Sequence, residues 1–194
     1  MPHDFKIIAI RPLLGCNLKF LKALQKDIFY QFCNDFTINK KEIKYTPSYP
    51  QQLFHVNHIA VNISAIAGKN GSAKSSLIEL LFAGLYNLAI NEQILIPQAN
   101  PDAEDKDERE IPAPPENVFF DFYYKIDDKI YLIEFRDQQL NYHEFCNDKA
   151  DKSIYYLNPT QPLYFEHMEF FYAIVGKTLP VTQHLGGRCT CSLI

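Results

Sequence analysis

Residues 68–76, Gly-Lys-Asn-Gly-Ser-Ala-Lys-Ser-Ser, combine turn-permissive glycines with cationic and hydroxyl side chains, a set suited to holding a phosphate chain. Successive backbone N–H groups across Lys69, Asn70, Gly71 and Ser72 can converge into an anion-binding nest. Gly68 and Gly71 let the chain turn where side chains would collide with a ligand. Lys74 would reach β- and γ-phosphates, Ser75 would hold a Mg²⁺ ion, and Ser76 could donate to an α-phosphate. The string fits the pattern GxxxxGK[ST] at every fixed position except Ala73, which stands where the pattern has Gly. A methyl group there either presses on the phosphate or, where the backbone takes a positive φ, costs about 1–2 kcal/mol in strain. The competing reading is a plain helix cap, with Ser72 capping after a glycine turn.

Such a loop needs a strand before it and a helix after it. Val61–Ala67 is a short apolar run that Gly68 ends, which predicts the strand. Leu77–Ile90 is apolar almost all round with Glu79 its only charge, which predicts a buried helix starting at about Lys74. Phe5–Leu14 reads as a strand that Pro12 terminates. Residues 17–26 read as a short helix or a loop, and 28–38 as β-structure bending at Asn34-Asp35. Val118–Ile126 and Ile130–Arg136 form the clearest hairpin, joined by a three-residue polar turn, Asp127-Asp128-Lys129. Ser153–Leu157 adds a candidate strand, and Leu163–Val175 a candidate helix. Residues 97–117 hold five of the twelve prolines and the acidic run 102–110, so they predict an exposed linker or insertion.

The stretch AGKNGSAKSSLIELLF resembles the Walker A segment of ABC-type and SMC-type ATPases. Asn70, Ser72 and the run Lys74-Ser75-Ser76-Leu77 narrow the likeness to that branch. The opening FKIIAIRPL is similar to the first strand of bacterial AAA-family ATPases of this sort, some of which serve in phage defence or DNA repair. The resemblance implies an α/β fold: the N-terminal lobe of a P-loop NTPase, with a mixed or antiparallel sheet beside the Walker A strand, loop and helix. It implies ATP and Mg²⁺ as ligands, held by residues 68–76 with Ser75 on the metal. It also implies a homodimer or partner subunit and a link to DNA; no membrane is expected, because no stretch approaches the roughly 18 apolar residues that a spanning helix needs. Tyr45 or Tyr49 is the expected adenine-stacking aromatic.

Other parts of such an ATPase are not found. Val118-Phe119-Phe120-Asp121 imitates a Walker B strand, but Phe122 stands where the Glu belongs and the spacing from the loop is too short. The run Ile130–Glu134 shares that weakness, and both fit a hairpin with alternating faces better. His184-Leu185-Gly186-Gly187-Arg188 is taken as a chance likeness to the signature motif. The chain therefore reads as a partial lobe over residues 1–175 that binds nucleotide weakly and turns over little or none. The alternative is a non-enzymatic interaction module whose degenerate loop is only a fold element.

The chain of 194 residues has 19 basic and 23 acidic side chains, a net charge of −4, which excludes a broadly basic nucleic-acid-coating protein. Five cysteines without a CxxC pair argue against a disulfide framework and fit the cytoplasm. Residues 175–194 contain no Phe, Tyr, Asp or Glu, unlike everything before them. Residues 176–194 thus read as a poorly packed tail, either polar by design or the product of truncation or a shifted reading frame.

Overall fold

A computed structural model describes residues 5–39, 41–48, 55–56, 59–60, 66, 69, 71, 73–95 and 113–158. The strands are β1 (Phe5–Pro12), β2 (Tyr30–Gln31), β3 (Phe36–Asn39), β4 (Glu42–Tyr45), β5 (His55–Val56), β6 (Ile59–Ala60), β7 (Phe119–Ile126), β8 (Lys129–Arg136), β9 (Gln139–Asn147) and β10 (Ile154–Leu157). The helices are α1 (Leu18–Leu21) and α2 (Lys74–Asn91). Eight strands form one sheet in the order β2-β1-β7-β8-β9-β10-β4-β3, and β5 and β6 pair separately.

Every described strand pair is antiparallel. The expected P-loop α/β lobe is therefore not the fold; the sheet is a curled, antiparallel half-barrel with few helices. The physical reason lies in the connections. Two-residue turns at Asp127-Asp128 and Asp137-Gln138 force β7, β8 and β9 to be antiparallel neighbours, whereas parallel neighbours need a crossover of about a dozen residues or more. A strand, loop and helix motif is local and does not set the direction of the sheet around it.

Chain length also dictates the curl. Eight flat strands would put the outer two about 34 Å apart. Yet β2 and β3, at opposite ends of the order, are joined by only residues 32–35, which reach at most about 17 Å. The sheet must bend round on itself. The bend at Asn34-Asp35 splits the expected 28–38 strand into these two edges. Next to the β2 edge, the register of β1 against β7 shifts between Ile7 and Ala9, a bulge that turns both Ile8 and Ala9 to the concave side.

Two cores result. On the convex face, Phe120, Phe122 and Tyr124 of β7 and Tyr131, Ile133 and Phe135 of β8 pack with Leu77, Leu80, Ala83 and Leu88 of α2. Phe120 and Phe135 stack with ring centroids 4.3 Å apart. A Cβ at Gly84 would lie 2.3 Å from Phe120 Cζ, so the helix accepts a weak helix former there to approach the sheet closely. On the concave face, Ile8, Ala9, Phe36, Ile43, Tyr123, Leu132 and Phe145 fill the half-barrel.

α2 begins and ends where the sequence places it, and the β7–β8 hairpin is confirmed with a shorter turn, because Lys129 pairs with Ile126 inside the ladder. β9 is an additional strand. The expected strand over 61–67 lies outside the described residues apart from Ile66, as do residues 97–112 of the expected linker and everything from 159 on, including the candidate helix 163–175 and the tail 176–194. The linker's last residues are tied down: Pro115 accepts a hydrogen bond from Asn87 at 3.2 Å, and Asn117 accepts one from Asn17 N–H at 2.9 Å. No helix among the described residues is long and apolar enough to cross a membrane.

Candidate functional site

The loop is described at Lys69, Gly71 and Ala73–Ser76; Gly68, Asn70 and Ser72 lie outside the described residues. Gly71 has φ +80°, the conformation for which glycine is suited. Ala73 also enters the left-handed region, at φ 65° and ψ 9°, and occupies the cap position of α2. The one departure from the motif thus sits at a position whose backbone favours glycine. Its carbonyl accepts the first ladder bond of the helix, from Leu77 N–H at 3.0 Å.

Ala73 has no side chain that could accept from the N–H groups of the next turn, and that turn holds no acidic residue. It holds Lys74 instead, although a helix start ordinarily favours negative charge. Positive potential is thereby concentrated rather than neutralised, the condition under which a helix start receives an anion. The Lys74 side chain curls back over the loop, and its Nζ donates to the Lys69 carbonyl at 2.8 Å. Ser75 and Lys69 are exposed. Ser76 is 4% exposed and sits on the face of α2 that packs inward with Leu80 and Ala83. The structure thus brings Lys69, Gly71, Ala73, Lys74 and Ser75 into one exposed turn and sets Ser76 apart. Tyr45 is not beside this turn's helix core; it stacks on Phe36 at 4.8 Å in the half-barrel.

A second polar constellation escapes sequence reasoning. Asp121, 0% exposed, faces the concave side. Its Oδ2 accepts from Arg11 Nε at 2.9 Å and also from Arg11 Nη2. Its Oδ1 lies 2.9 Å from Arg136 Nη1, an ion pair whose angle falls outside that of a hydrogen bond. Arg136 Nη2 reaches Glu134 at 3.0 Å, and Glu134 lies 3.5 Å from His143 Nε2. The ladder registers explain the assembly: Arg11 stands opposite Asp121, Asp121 opposite Glu134, and Glu134 opposite Asn141. Burial opposes the charge on Arg11, and Asp121 more than restores it, leaving the guanidinium pKa above its ordinary value. The close approach of His143, outweighing burial, holds Glu134 below the usual carboxylate range. The signal available in the sequence was two charges in each of three otherwise apolar strands, in FKIIAIRP, FFDFYYKI and IYLIEFR.

This network also decides between the two readings of Asp121 and Glu134. They are cross-strand partners of a hairpin, on the sheet face away from α2, and Arg11 and Arg136 engage them. Neither is placed to serve a metal at the start of α2.

No protein family matches the chain, and neither does any curated protein or solved structure.

Proposed function

We propose that residues 68–76 bind the phosphate chain of a nucleotide, ATP with Mg²⁺. The observation that carries this reading is the left-handed turn at Ala73, which opens an uncapped helix start directly under the folded-back ammonium of Lys74. Lys74 would hold the terminal phosphates, the loop N–H groups would cradle them, and Ser75 would hold the Mg²⁺ ion. The metal would neutralise phosphate charge and bridge the terminal phosphates to the protein. ATP, rather than another phosphate compound, is supported by the resemblance of the loop to the Walker A segment of ABC-type and SMC-type ATPases. The same resemblance supports a nucleotide that gates a homodimer, a partner subunit or a DNA-linked assembly.

Positioning a water and stabilising transferred charge need groups beyond a phosphate cradle. Among the described residues, the strand carboxylates Asp121 and Glu134 are committed to arginines on the other face. Weak binding with little turnover is therefore the behaviour proposed for this chain alone.

Calorimetric titration with ATP, with and without Mg²⁺, tests the reading. Mg²⁺ should tighten binding in the parent, and Ser75→Ala should remove that increment while still binding ATP. Absence of binding by ATP, ADP and pyrophosphate would favour the interaction-module reading, in which the strained Ala73 marks a degenerate loop.

A further inference from the structure

The segment between β1 and β2 carries large apolar side chains that the fold leaves bare. Leu14 is 76% exposed and Leu18 77%, and Phe82 on the adjoining α2 is 64% exposed. Single exposed leucines are ordinary, but these share one neighbourhood. Lys22, which caps α1, pairs with Glu79 at 2.6 Å, and Phe82 follows Glu79 by one helical turn. Gly15, at φ +98°, turns the chain between Leu14 and α1. Lys19, Lys22 and Lys26 are all exposed here, with Asp27 the one acid in the segment. The surface is therefore apolar and locally cationic on a chain whose net charge is −4.

We propose that this surface docks a polypeptide segment bearing apolar side chains flanked by Asp or Glu. Charge complementarity sets the partner's sign, because the exposed Lys19 and Lys26 lie in the same segment as the bare leucines. The exposed Lys22–Glu79 pair gives an incoming carboxylate a cation to take over at little cost, since such pairs are weak in water. A polypeptide is favoured over an anionic lipid surface by shape. The apolar groups come from two elements on either side of an ion pair, which suits separate side-chain anchors rather than one inserted wedge.

The test uses the full chain, ¹⁵N-labelled, titrated with a synthetic peptide of alternating Leu and Glu and with its Leu and Lys counterpart. The Glu peptide should shift resonances of residues 14–26 and 79–82, and the Lys peptide should not. The double variant Leu18→Ser, Phe82→Ser should weaken binding at least tenfold, and Lys19→Glu, Lys26→Glu should reverse the peptide preference. Both variants change exposed side chains, so unchanged melting curves will separate docking from folding. No shifts, or equal binding of both peptides, would overturn the proposal. So would capture by phosphatidylserine–phosphatidylcholine vesicles, or self-association that depends on Leu18 and Phe82 in place of peptide binding.

Discussion

The hairpin turns and the loop before α2 both force a non-glycine residue into the left-handed region, but they do so with different residue types. In the turns the residues are Asp127, at φ 52°, and Asp137, at φ 61°. Aspartate tolerates that conformation because its short polar side chain bonds locally, and Asp137 accepts from Asn117 N–H. In the loop the residue is Ala73, at φ 65°, which has no such compensation. The sheet thus meets its backbone demands with suitable residues, whereas the loop holds an unrelieved one. Strain of this kind persists where the surroundings over-determine the conformation, and here α2, packed along the convex face, fixes the start of its own first turn. The difference separates two roles: the sheet and its ion network hold the fold, and the loop is the part proposed for binding.

That separation predicts which changes cost stability and which cost ligand. The largest loss of stability should follow Asp121→Ala, which leaves Arg11 and Arg136 facing each other without their shared anion. About 3–5 kcal/mol is expected for breaking one side of a buried ion pair, read by denaturant unfolding, with the α2 start unaffected in any variant that still folds. Gly84→Ala should come next, since its methyl group must displace the Phe120 ring; overpacking of this kind costs about 1–3 kcal/mol. Ala73→Gly should act in the opposite direction and raise stability by about 1 kcal/mol, because the strain is present in the folded chain before any ligand arrives.

The smallest effect is on pH dependence. Glu134 has a lowered pKa in the folded chain, first through the close approach of His143. Its contribution to stability is therefore present above the unfolded carboxylate value of about 4.3 and is lost as pH falls through the lower folded value. His143→Gln should shrink that acid-side loss by less than about 1 kcal/mol. Unfolding curves between about pH 5 and pH 2 on both proteins will show it, and an unchanged acid limb would remove His143 from the network.

Much of this was legible in the chain for physical reasons. Leu77 to Ile90 reads as a buried helix because its apolar residues run all round, and the hairpin reads from aromatic and aliphatic strands about a polar turn. β9, Gln-Leu-Asn-Tyr-His-Glu-Phe-Cys-Asn, did not read as a strand because Asn141 and His143 face a charged neighbour, not a core. The two-residue turn at Asp137-Gln138 was its available signal. The P-loop α/β lobe failed for a deeper reason: residues 61–76 specify a local turn, while strand order depends on pairings such as that of β1 with β7, more than a hundred residues apart. The role of Ala73 was half legible, since its type flagged the departure and only the backbone angle showed that glycine is favoured there.

The central claim is that Lys74, held over the loop by the Lys69 carbonyl, supplies the charge for a bound phosphate chain. Calorimetry with Mg-ATP on the parent and on Lys74→Ala tests it most directly. Loss of that cation should cost about 2–5 kcal/mol of binding free energy, with the melting temperature without nucleotide unchanged. Equal affinity in the two proteins would contradict the account.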